Sequence, residues 1–122
     1  MQLVNHDELP YGGYKIPSNT DLILAGKDGY PKSQIDFQIL LKKGNLEQQY
    51  ADARSIMLQT VDADTIAEAI EYAKKVQYAL ENGSRENPIY CPITTFTAPN
   101  GMAVRVGGGG GDSIEFQLWH TN

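Results

Sequence analysis

Arg105 stands between Val104 and Val106, and Gly107 to Gly111 follow at once, ahead of Asp112 and Ser113. Glycine has no Cβ, so the N–H groups of such a run can approach a ligand closely. A guanidinium beside it offers a planar fork of donors that suits phosphate oxygens. Gly107, Gly109, Gly111 and Asp112 are therefore candidate ligand contacts together with Arg105. The same run also reads as a flexible hairpin loop that binds nothing. Arg54 starts a segment read as a strand and is a second candidate for converging on an anion, whereas Arg85 reads as a solvated surface arginine. Tyr78, near the end of a helical stretch, offers a ring on which a planar base gains roughly 1–3 kcal/mol. It is also compatible with a place at the core margin. Asn87 in the polar segment that follows suits a ribose hydroxyl, a base edge or simply a turn.

Other chemistries lack their residues. The glycine run ends without the Lys and Ser/Thr of a P-loop and leads into a strand rather than the helix of a dinucleotide fingerprint. No G-x-S-x-G occurs, and nothing in the sequence ties Cys91 to His6 or His120 as a base. Cys91 has no C-x-x-C partner and reads as a small packed residue in a strand. The two histidines lie near opposite termini, so neither a catalytic residue nor a metal site is expected.

These residues need a scaffold, and the composition bounds it. The chain has 122 residues, 41% hydrophobic and 20% charged, with a net charge of -5. That is an ordinary globular balance for one domain, residues 1–122. The negative charge argues against DNA, RNA or anionic membranes as partners but leaves room for a local basic pocket. A single cysteine and no long apolar run lead us to expect a cytoplasmic protein.

Met1 to Tyr30 is broken by Pro and Gly into turns around short extended pieces, the best being Leu22-Ile23-Leu24, with Tyr11, Tyr14 and Tyr30 in the turns. Ile35 to Ile39 alternates as a half-buried strand running on into Leu40 and Leu41, and Lys42 to Asn45 suits a turn. Leu46 to Ala53 reads equally as helix or strand. Arg54 to Val61 leans to strand because it ends in β-branched residues. A helix is expected from Ala63 to Asn82, capped by Asp62 or Asp64, with Ile66, Ile70, Ala73, Val76 and Leu80 on one face and Gly83 at its end. Ile89 to Thr97 is a strand that Pro92 confines to an edge or bulge. Pro99-Asn100-Gly101 is a turn, and Met102 to Val106 and Ser113 to His120 are strands, the last with Ile114, Phe116 and Leu118 on one side and Glu115, Gln117 and Trp119 on the other. The class is α+β, a mostly antiparallel sheet with one long helix packed across it.

The helix ending Val76-Gln77-Tyr78-Ala79-Leu80-Glu81-Asn82-Gly83, the polar segment with Asn87, and the arginine strand meeting a glycine loop resemble the first-described family of phage Thoeris anti-defence proteins. These are small cytoplasmic sponges that sequester cyclic ADP-ribose signals made by bacterial TIR-domain proteins, without acting as enzymes and without a cofactor. The resemblance runs over most of the chain. It implies adenine stacking on Tyr78, which stands where the family has phenylalanine. It implies ligand contacts from Asn87 and Arg105 as well, and on that reading Asn87 and Asp112 are expected to contact ribose hydroxyls while Arg105 and the N–H groups of the glycine loop meet the pyrophosphate. It implies a homodimer with pockets between protomers, assembled in some members as a trimer of dimers (a hexamer), in the cytoplasm of an infected bacterial host. Some members also bind the cyclic oligonucleotides of CBASS signalling, for which Arg54 and Arg105 are the corresponding positions. A nanomolar complex corresponds to roughly -12 kcal/mol, more than one stacked ring and one ion pair supply, so a closing loop or a second subunit is expected. Two readings stay open beside it: an acidic phage protein that inhibits a host protein by direct binding, and an enzyme acting on nucleotides.

Overall fold

The computed structural model describes residues 13–15, 20–24, 36–108 and 113–121. Among them six strands form one antiparallel sheet: β1 (Gly13–Lys15), β2 (Asp21–Leu24), β3 (Phe37–Leu41), β4 (Thr94–Thr97), β5 (Met102–Gly108) and β6 (Ile114–His120), in the order β1-β2-β3-β6-β5-β4. Two helices, α1 (Leu46–Met57) and α2 (Ala63–Asn82), lie between β3 and β4 in the chain. The expected α+β class, with one long helix across an antiparallel sheet, is what the structure has. No helix among the described residues is long and apolar enough to cross a membrane.

Alternation sorts the central strands into two faces. Ile39 and Leu41 of β3, Val104 and Val106 of β5, and Ile114, Phe116 and Leu118 of β6 are buried. They form one cluster with Tyr50, Ala53, Ile56 and Met57 of α1 and Ile66, Ala69, Ala73 and Val76 of α2. Ala69 and Ala73 are fully buried, and such small side chains let α2 approach the sheet closely. The α2 bounds agree with the sequence reading, and Asp62 is its cap, accepting the Thr65 N–H at 3.1 Å and the Thr65 hydroxyl at 2.7 Å. Those bonds hold the Asp62 carboxyl below its ordinary pKa. At the other end Gly83 is extended at φ -78 rather than left-handed. It is required by crowding, because a Cβ there would lie 2.7 Å from the Ala79 carbonyl oxygen and 3.1 Å from the Ile89 nitrogen.

The strand expected over Arg54 to Val61 is absent; α1 runs from Leu46 to Met57, and a turn leads to Val61. The reason is local. Gly44 and Asn45 adopt positive φ, and Gln49 ties the turn to the helix. Its carbonyl accepts the Lys42 N–H at 2.8 Å, and its amide donates to the Lys42 and Gly44 carbonyls at 2.7 and 2.5 Å. With that start, Tyr50, Ala53 and Met57 fall on one helical stripe, and burying it outweighs the β-branched residues at the end of the segment. The Tyr50 hydroxyl donates to Gln77 Oε1 at 2.8 Å, joining α1 to α2, and burial pushes its pKa up.

Candidate nucleotide groove and the opposite polar face

Arg105 alternates with the buried Val104 and Val106, so its side chain leaves the sheet on the face away from both helices. Register puts it in a row with Thr95 of β4, Gln117 of β6 and Gln38 of β3. Its Nε donates to Gln117 Oε1 at 2.8 Å, its Nη2 donates to the same oxygen, and its guanidinium lies 5.4 Å from the centre of the Trp119 ring. Glu115 is the nearby acid. Burial raises its pKa, while the Gln38 amide and the Arg105 charge act the other way. Gln38 is only 3% exposed, and its Oε1 has no hydrogen-bond partner.

Tyr78 lies on the other side of the sheet. It is 60% exposed on α2 and faces a groove of about 590 Å³ between that helix and the chain leading into β4. Tyr72, Lys75, Tyr90 and Pro92 are among the lining residues, and Tyr90 is 88% exposed. Lys74 stands at the rim, 4.0 Å from Glu71 and 6.0 Å from the centre of the Tyr50 ring. The segment is fastened by the Tyr72 hydroxyl, which donates to the Pro92 carbonyl. Cys91 lies in this segment rather than in a strand, half-buried against the core. Asn87 is exposed in the preceding turn, where its N–H is accepted by Ser84 Oγ at 2.9 Å, two residues before Ile89 of the groove wall.

The candidates named from the sequence are therefore divided. Tyr78 lies on the groove and Asn87 close to it in the chain, while Arg105 is on the far face of the same sheet. Arg54 is exposed in the last turn of α1, on the helical side, and does not converge with Arg105 within one protomer. Gly107 is not in a loop. It belongs to β5, pairs with Glu115 and is buried; a Cβ on it would lie 2.7 Å from Ile93 Cγ1. Its lack of a side chain makes room for Ile93, not for a phosphate. Gly109, Gly111 and Asp112 lie outside the described residues.

Lys74, Lys75 and Tyr90 were not singled out from the sequence. A signal for the lysines was present, since positions three and four residues before Tyr78 on a helix are its neighbours. For Tyr90 none was, because its place depends on how the segment folds back beside α2. Chemically, the groove combines aromatic faces with ammonium groups in a chain of net charge -5. Comparisons with known protein families, curated proteins and solved structures return no match for this chain.

Proposed function

We propose that this chain is a non-enzymatic sequestering protein that holds cyclic ADP-ribose signals of the kind made by bacterial TIR-domain proteins. The observation that carries the reading is the groove in which the exposed Tyr78 and Tyr90 rings stand beside Lys75, with Lys74 at the rim. A nucleotide has the matching parts: a planar base for a ring and a pyrophosphate for the ammonium groups. The resemblance of the Tyr78 helix, the Asn87 segment and the Arg105 strand to the Thoeris anti-defence sponges supports the same ligand class. In this reading Lys75 takes the anion role within one protomer. Arg105 reaches the ligand only from another copy, or serves a separate anion on the far face, as the CBASS activity of the family implies.

The test is capture and release. The protein is incubated with cyclic ADP-ribose isomers, freed of unbound ligand and heat-denatured, and the supernatant is read by mass spectrometry. Intact signal released only after heating supports sequestration. No retained signal sinks the reading, and a chemically altered product identifies an enzyme instead. A host protein recovered with the chain, without any nucleotide, favours the direct-inhibitor alternative.

A further inference from the structure

A second cavity, of about 220 Å³, lies between the start of α1, the end of α2 and the first residue of β6. Among the described residues it is lined by Lys43, Leu46, Gln77, Leu80, Glu81 and Ile114, none of which lines the Tyr78 groove. Ile114 pairs with Leu41 at the end of β3, so the turn that follows β3 starts beside the cavity and brings Lys43 and Leu46 to it. On α2, Gln77 stands three and four residues before Leu80 and Glu81, the spacing that puts helical residues on one side. Ile114 is buried, and Leu46 and Leu80 are partly buried against the core. The floor of the cavity is therefore apolar.

Two opposite charges stand over that floor. Gln49 bonds Lys42 on one side of Lys43 and Gly44 on the other, which fixes the Lys43 backbone. The Lys43 ammonium has no hydrogen-bond or ion-pair partner among the described residues. Glu81 is held from α2 itself. The Tyr50 hydroxyl donates to Gln77 Oε1 at 2.8 Å, and Gln77 Nε2 donates to Glu81 Oε2 at 3.2 Å, leaving the other carboxylate oxygen open to a donor. The last turn of α2 has no basic residue, so the negative pole of the helix adds to the Glu81 charge. The complement of this cavity is an apolar body that carries a cation at one end of its polar head and an anion at the other. Size narrows it further. A cavity of roughly 150 Å³ holds benzene, and sites for drug-sized ligands begin at roughly 300 Å³. The volume of about 220 Å³ thus suits one ring or branched chain with a small polar head.

We propose that this cavity binds a free α-amino acid with an apolar side chain. The ligand ammonium meets Glu81, its carboxylate meets Lys43, and its side chain lies against Leu46, Leu80 and Ile114. Charge-assisted bonds at the two ends recognise the zwitterion. The floor favours a leucine or phenylalanine side chain over that of glycine or serine through the apolar area it covers. A ligand with only one of the two charges leaves the other group to water and forgoes its bond. Lys43 and Glu81 are both exposed, so each bond contributes modestly. The ligand bridges α1, α2 and β6, and its binding stabilises the folded chain by mass action. This site is independent of the sequestration reading: it uses Gln77, Leu80 and Glu81 of α2, whereas the groove uses Lys74, Lys75 and Tyr78.

L-phenylalanine, with L-leucine beside it, is titrated into the full chain at millimolar concentration and followed by two-dimensional NMR and by the melting temperature. The expected result is saturable binding with shifts at Leu46, Leu80 and Ile114, and a melting temperature that rises with amino-acid concentration. Lys43→Gln and Glu81→Gln change exposed side chains and should each weaken binding roughly threefold to fivefold while leaving circular dichroism unchanged. N-acetyl-L-phenylalanine lacks the ammonium and phenethylamine lacks the carboxylate; each should bind the unchanged protein more weakly than L-phenylalanine by a similar factor. Absence of saturable binding overturns the proposal, as do shifts confined to the Tyr78 groove. Equal binding of the two half-ligands, or binding indifferent to both variants, identifies an unspecific apolar cleft and overturns it too.

Discussion

The two faces of the sheet come from the same strands and obey different physics. On one, Val104, Val106, Phe116 and Leu118 are buried beneath two helices, and contacts are interchangeable in kind if not in shape. On the other, Thr95, Arg105, Gln117 and Gln38 form a polar row in which each group has a particular neighbour. The buried face is held by apolar area, which is non-directional and large. In the polar row Arg105 donates to Gln117, and such hydrogen bonds are small in net worth and specific in geometry. A polar row of this kind suits recognition, and an apolar face suits stability.

The largest expected effect breaks the helical face. Phe116→Ala empties a fully buried site and should cost about 3–5 kcal/mol, read from urea denaturation. Trp119→Ala, in the neighbouring register on the polar side, should cost clearly less; equal losses would mean that both faces serve the core.

On the groove, Tyr78→Ala should weaken cyclic nucleotide binding by roughly 1–3 kcal/mol in calorimetric titration, with Tyr78→Phe nearly neutral because the stacking face is kept. Arg105→Ala measured beside it separates the two sides of the sheet. An equal loss would bring the far face into the same site.

Where Ile93 crosses onto the polar side, Gly107→Ala should cost about 1–2 kcal/mol by pushing on Ile93, and Ile93→Ala should recover part of that in a double-mutant cycle. Additive losses would remove the packing explanation for this glycine.

The smallest effect is a difference in pH dependence. Glu115 has a raised pKa through burial, so the folded state favours its protonated form. Its contribution is complete below its ordinary value of 4.5 and is lost as pH rises through the higher folded value. Asp62 is lowered by the Thr65 bonds, so its contribution is present above its ordinary 3.8 and is lost as pH falls through the lower folded value. Glu115→Gln should therefore gain stability relative to the parent as pH rises above 4.5, and Asp62→Asn should lose its disadvantage in acid. Melting curves across pH check both signs.

Much of the scaffold was legible because it is periodic. A capping acid at Asp62 or Asp64, the apolar stripe and Gly83 bounded α2 at about Ala63 and Asn82, and Ile114, Phe116 and Leu118 marked the inner side of β6. The segment after Asn45 misled because its β-branched end favours strand, whereas the helix start depends on Gln49 reaching back to Lys42 and Gly44. Such a bond exists only once the turn has formed. The candidate site was legible in part. Tyr78, singled out from the sequence, lines the groove, and Lys75 was available by helical spacing. Tyr90 depended on the path of a loop.

What the sequence determined by itself is the set of periods: 3.6 residues for α2 and two for β3, β5 and β6, with the polar and apolar sides of each. Those periods already put Arg105 on the side opposite Val104 and Val106. The tertiary structure decided what each side meets. It placed Tyr78 and Tyr90 together beside the edge strand, took Gly107 and Gly108 into β5, and put the full thickness of the sheet between Arg105 and the groove. The physical reason is that a period assigns a residue to a face from local geometry alone, while convergence of distant residues depends on which faces the core buries together.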